Sequence, residues 1–239
     1  MKSAAAAAAL CVLGACAPVL THGPRVEPGF FLGSTAGILV TRDTAAAPDV
    51  LTPDWAPYVR YGVRGEPDVF AGSLAVALDA SSAPGVAADL YVQLPARNPD
   101  WAYGGGVMGS SSYVMPYVQL GRSFGRGFEV YTTQAYVRRG DFTEKQTGLD
   151  GSGVEVRPRY WAPTLAIRRR EGALGVSLQL TGALGRFDER PFEADELAPV
   201  TSRALRGVTV SLAADADVGL LLREVAAITR QPILRPAPP

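Results

Sequence analysis

Residues 85–94 read GVAADLYVQL, and residues 174–184 read LGVSLQLTGAL. In the first stretch Val86, Ala88, Leu90, Val92 and Leu94 share one face, and Ala87, Asp89, Tyr91 and Gln93 share the other. In the second, Leu174, Val176, Leu178, Leu180 and Leu184 oppose Gly175, Ser177, Gln179, Thr181 and Ala183. A period of two belongs to a strand with two chemically different faces; a helix repeats at 3.6. Phe70, Leu74, Val76 and Leu78 repeat the pattern against Ala71, Ser73, Ala75 and Ala77, and Val208, Val210 and Leu212 repeat it against Thr209, Ser211, Asp215 and Asp217.

Working outward, about ten such runs cover 29–41, 56–64, 68–79, 85–94, 100–109, 112–123, 127–139, 154–168, 173–186 and 205–219. Most reach the ~9–11 residues that a tilted strand needs to cross hydrocarbon, against a mode of ~5–6 in soluble proteins. Three odd-to-even links are long, from Arg42 to Trp55, Gly140 to Gly153 and Phe187 to Ala204, while the links at 65–67, 124–126 and 170–172 are tight. The expected fold is all-β: an up-and-down antiparallel transmembrane-type barrel of about ten strands, within 8–12. Aromatic residues near strand ends (Tyr58, Tyr61, Trp101, Tyr103, Tyr113, Tyr117, Tyr136, Tyr160 and Trp161) suit two interfacial girdles. On 154–168, Arg157 and Arg159 are expected above the membrane, Tyr160 and Trp161 at the belt, and Leu165 and Ile167 against lipid, with Arg168, Arg169 and Arg170 at the periplasmic edge. Run 127–139 shows no clean lipid face.

The chain opens MKSAAAAAALCVLGACA: a charged start at Lys2, an apolar core from Ala4 to Leu13, then Leu13-Gly14-Ala15-Cys16. This is an export signal, too short to span a bilayer as a finished helix. The last four residues resemble the lipobox of bacterial lipoproteins, which implies a lipid on Cys16 and, with Ala17 rather than Asp next, the outer membrane. Ala15-Cys16-Ala17 is also an A-x-A box, so plain secretion with Pro18 as first residue stays open. Cys11 leaves with the signal, so no intramolecular disulfide can form. The expected division is 1–15 signal peptide, 16–28 lipid-anchor tether, 29–222 barrel and 223–239 tail. Within the tail region, 218–228 fits either a strand extension or a short helix.

The hairpins YVRYGVRGEPDVF from Tyr58 and QLGRSFGRGFEV from Gln119, with the lipobox and the loop parity, resemble small bacterial outer-membrane β-barrel proteins. The resemblance is one of pattern over residues 29 to about 219. It implies the lipid bilayer as partner and carries over no site residues.

Net charge is zero, which argues against nucleic acid. The single histidine, His22, falls in the tether and is expected to be solvated. Ser-His, Cys-His and zinc chemistry are then hard to build, so no enzyme and no cofactor are expected. Gly104, Gly105 and Gly106 lack the Lys-Ser/Thr of a P-loop and read as backbone room. Arg60 and Asp89 are in phase with the lumen faces and are expected in an interior ion pair or network. Asp188, Glu189, Glu193, Asp195 and Glu196 form an acidic loop without EF-hand spacing. Asp215 and Asp217 read as polar lumen or rim residues. Two functions remain: a non-enzymatic outer-membrane barrel with a structural, surface-interaction or narrow-pore role, or a lipid-anchored periplasmic soluble barrel or sandwich holding an apolar ligand. Alternation alone does not say which face is inward.

Overall fold

A computed structural model describes residues 20, 22–41, 50–64, 71–79, 85–110, 113–125, 127–139, 143–146, 153–193, 196–197 and 199–230. Ten long strands close into one antiparallel barrel: β1 (Gly29–Thr41), β2 (Val50–Arg64), β3 (Ala71–Asp79), β4 (Gly85–Leu94), β5 (Trp101–Gly109), β6 (Tyr113–Ser123), β7 (Phe128–Arg139), β9 (Gly153–Glu171), β10 (Leu174–Glu193) and β12 (Thr201–Asp217). Each pairs with its neighbours in chain order, and β12 returns to β1 with Phe31 opposite Asp217. Two short strands, β8 (Thr143–Gln146) and β11 (Glu196–Leu197), prolong the hairpins at one end. Closure leaves no unpaired edge among the ten, the condition for a sheet to sit in lipid.

The face assignment is that of a membrane barrel. Leu32, Val59, Leu74, Leu90, Val118, Leu165, Leu178 and Leu212 point outward and are exposed, while Thr35, Ser73, Gln119, Thr133, Gln179 and Ser211 point inward and are buried. The run without a clean lipid face, now β7, turns Val130, Thr132 and Gln134 outward. Two of its polar groups bond locally: Thr132 Oγ1 donates to the Thr164 carbonyl at 2.9 Å, and Gln134 Nε2 donates to Thr132 Oγ1 at 3.3 Å.

The aromatic girdles differ from expectation. Tyr61, Trp101 and Tyr103 lie outward toward the end with the short turns, and Tyr136 and Trp161 outward toward the end with the long links. Tyr58, Tyr113, Tyr117 and Tyr160 are buried inside. Strand parity separates Tyr160 from Trp161, so adjacent aromatics cannot both join the belt. Likewise Arg168 points into the lumen, whereas Arg169 is exposed.

The long links shrink as well. β9, β10 and β12 extend past their expected limits, with Arg157 opposite Asp188 and Asp188 opposite Ser202. Where both faces are wet the apolar alternation fades while the hydrogen-bond ladder continues, so hydropathy understates strand length. At the other end β9 and β10 turn in two residues, and Gly172 adopts φ +56°, open to glycine at little cost. After β12 the chain forms α1 (Val218–Arg230), capped where the Leu220 amide donates to Asp217 Oδ1 at 3.0 Å.

The glycine run lies on β5. Gly104 and Gly106 face inward, and a Cβ on either would strike the hydroxyl end of Tyr91 or Tyr117, respectively. The two rings lie nearly parallel, 6.0 Å apart. Gly104→Ala or Gly106→Ala is expected to cost roughly 1–3 kcal/mol by overpacking. The outward Val107→Ala should cost less, as read from the temperature at which the folded band on a semi-denaturing gel is lost.

Candidate functional site

The lumen of the barrel is not empty. Leu20 and residues 22–27 run inside it before the chain emerges at Pro28 to begin β1. This corrects the expectation of a solvated tether and a solvated His22, which is 2% exposed. Its Nδ1–H donates to the Gly23 carbonyl at 2.7 Å, and its Nε2 lies 3.0 Å from both Asp89 Oδ2 and the Tyr117 hydroxyl. Tyr117 donates to the other oxygen of Asp89 at 2.7 Å. The Tyr91 ring packs on His22 at 4.7 Å, and its hydroxyl donates to the Pro24 carbonyl at 2.8 Å. Gln119 Nε2 donates to the His22 carbonyl, Gln179 Nε2 to the Leu20 carbonyl, and Gln93 Oε1 accepts from the Val26 amide. The segment has no apolar period, and its partners lie far along the chain, so its Pro and Gly content looks like that of a linker.

Below this tier, at the mouth on the side of the short turns, the charges gather. Arg168 Nη2 bridges Glu27 Oε2 at 3.0 Å and Asp215 Oδ2 at 2.9 Å. Arg60 Nη2 lies 3.4 Å from Glu27 and 3.7 Å from Asp215, and Arg170 pairs closely with Glu27 and reaches Asp217 at 3.7 Å. The Arg60 and Arg170 guanidiniums lie 4.1 and 4.9 Å from the Phe31 ring centre, within cation–π range. Burial alone would raise the Glu27 carboxyl, but Arg168, Arg170 and Arg60 together hold it down at about 2. Gly62 on β2 leaves room for this passage, since a Cβ there would strike the Glu27 carbonyl.

Above the His22 tier the lining turns apolar. Met108, Met115, Tyr113, Val137, Tyr160, Ala183 and Leu205 cluster with Leu20. The lumen is thus charged at one mouth, hydrogen-bonded in the middle and apolar beyond.

The expected site residues fall as follows. Arg60 and Asp89 both lie buried in the lumen, 0% and 3% exposed, but each takes other partners: Arg60 meets Glu27 and Asp215, and Asp89 meets His22 and Tyr117. Cys16 lies outside the described residues. Asp215 and Asp217 are engaged by arginines. In the acidic stretch Asp188 pairs with Arg157 at 3.1 Å and accepts from Ser202 at 2.6 Å. No cluster of three metal-ligating side chains occurs among the described residues. Sequence reasoning missed Glu27, and it placed Arg168 at the short-turn edge, where it lies, without assigning it to the lumen face that it shares with Thr164 and Ala166 on β9.

No protein-family model matches the chain, and no curated protein matches it. Among solved structures, the chain is similar to an outer membrane channel from Pseudomonas putida F1, at 10% identity over 84% of this chain and 99% of that one, with a TM-score of 0.47. It is also similar to the KdgM porin, at 9% identity over 77% of this chain and 98% of that one, with a TM-score of 0.37.

Removing one partner of a buried charge cluster strands the others. Arg168→Met is expected to destabilise the barrel by about 3–5 kcal/mol, seen as early loss of the folded band on heating, whereas the exposed Arg169→Met should change it by less than about 1 kcal/mol.

Proposed function

We propose that the protein is a non-enzymatic outer-membrane barrel whose narrow pore is held closed by its own N-terminal segment. The observation that carries this reading is the docking of Leu20 and residues 22–27 against side chains of β2, β4, β6, β9 and β10. A barrel of this size has little free interior, and the segment fills much of what there is. The outward band of Leu, Val and Ile supports a hydrocarbon surround. A soluble carrier of an apolar ligand needs the opposite arrangement, with its large apolar side chains inside.

Orientation follows from the connections. The short turns belong to the periplasmic side and the extended β9–β10–β12 hairpins to the outside. The entrance beside Glu27 is then periplasmic, and α1 lies there with Leu220, Leu221, Leu222 and Val225 exposed, suited to the membrane interface. The reading extends to cleavage of a signal peptide and lipidation of Cys16. The mature protein is expected to carry diacylglycerol on Cys16 by mass spectrometry; a product starting at Pro18 overturns that part alone.

Opening requires the segment to leave the lumen. In planar bilayers the intact protein is expected to show little conductance, and a chain lacking residues 20–27 several-fold more, with His22→Ala and Glu27→Gln in between. Equal conductance of the intact and shortened chains overturns the closed-pore reading. Acid should act through Glu27. Its folded value lies below the ordinary 4.5, so its contribution is complete above about 4.5 and is lost as pH falls toward about 2. Conductance of the intact protein should therefore rise across that window, and Glu27→Gln should remove this rise.

A further inference from the structure

The outer wall carries a second feature that pore closure does not use. Across β7, β9, β10 and β12 the outward side chains form rows set by strand register. One row is Tyr136, Trp161, Leu184 and Arg206. The next row toward the loops is Arg138, Arg159, Arg186 and Ala204. The one after places Arg157 opposite Asp188, and Asp188 opposite Ser202. Three arginines thus stand directly opposite one another on three adjacent strands, immediately beyond an aromatic pair at the edge of the apolar band.

Like charges directly opposite on a sheet are destabilising. Within these three rows Asp188 is the one carboxylate among the described residues; the next row outward places Glu144 opposite Glu155, and Glu155 opposite Arg190. Asp188 sits 3.1 Å from Arg157 and 3.9 Å from Arg159, and also accepts the Ser202 hydroxyl. Arg138 and Arg186 are exposed and have no ion pair among the described residues. Arg206, exposed one row lower beside Leu184, adds a further cation. The row also ends abruptly, at Val114 on β6 and at Ala204 on β12. It is a patch, not a continuous ring of surface charge.

Strands lie about 4.8 Å apart, so Arg138 and Arg186 bracket roughly 10 Å of wall. Guanidinium forks bind phosphate oxygens in pairs. In a membrane, the level just beyond an aromatic belt is that of the headgroups. We propose that this wall binds a phosphorylated lipid of the outer leaflet, its acyl chains along Leu165, Leu180 and Val210 and its headgroup phosphates on Arg138, Arg159 and Arg186. The proposal rests on the membrane reading above, but not on the pore being closed.

The test uses the intact protein purified from outer membranes in a zwitterionic detergent. Diphosphorylated lipid A, phosphatidylcholine and inorganic phosphate are each titrated, and the temperature at which the folded gel band disappears is recorded. Lipid A is expected to raise that temperature, while phosphatidylcholine and inorganic phosphate leave it nearly unchanged. The triple variant Arg138→Gln, Arg159→Gln, Arg186→Gln should need about tenfold or more lipid A for the same effect. Arg122→Gln, at the periplasmic end of β6, should respond like the parent. An equal response to phosphatidylcholine, a response to inorganic phosphate as large as to lipid A, or an undiminished response of the triple variant overturns the proposal. If the triple variant fails to fold, native mass spectrometry of Arg138→Gln and Arg186→Gln singly reads retained lipid A instead, and undiminished retention in both overturns it. Absence of the protein from outer membranes, or of any heat-sensitive folded band, defeats the membrane reading itself and is seen before any lipid is added.

Discussion

Arg168 sits buried between two carboxylates, Glu27 and Asp215, with its side chain 5% exposed. Much of the interior follows from that one buried bridge. A guanidinium in such a place is stable only when its charge and its donors are matched. Asp215 is supplied by β12, the next barrel strand but one. Glu27 is supplied by the segment that precedes β1. On the wall Arg60, Arg168 and Arg170 share this mouth with Asp215, Asp217 and Glu129, and the segment adds Glu27 to the same cluster, so the docked N-terminus is part of the electrostatics of the fold.

The apolar outer wall carries the complementary requirement. A closed ladder pairs the strand backbones, and large apolar side chains cover the wall. With those residues facing out, only small and polar ones remain to face in. They leave a bore that bulky inward side chains fill where they can. Tyr91 and Tyr117 do so because Gly104 and Gly106 stand across from them. The His22 ring then finds an aromatic wall on one side and Asp89 on the other, so the glycine run prepares the place where the segment docks.

Strand legibility varied with environment. Where one face met lipid and the other the lumen, the period of two was strong, and β1, β4 and the middle of β10 could be read almost to the residue. Toward the loop ends of β9, β10 and β12 both faces carry polar residues, and the pattern faded although the ladder continued. Parity placed Arg60 and Asp89 inside. It could also have placed Arg168 there, had its alternation with Thr164 and Ala166 outweighed its place in a run of three arginines. Parity could not name partners, because these come from other strands at heights set by register, or from a segment with no periodicity at all.

Local sequence by itself determined the strands, their alternating faces and the tight turns, because each depends on neighbours a few residues apart. Only the tertiary structure decided that Leu20 and residues 22–27 enter the lumen, that His22 meets Asp89 rather than solvent, and that Arg138, Arg159 and Arg186 align in one row. Those facts depend on the closure and register of ten strands. Register is a sum over many hydrogen-bonded pairs along the whole barrel, and no single stretch of the chain contains it.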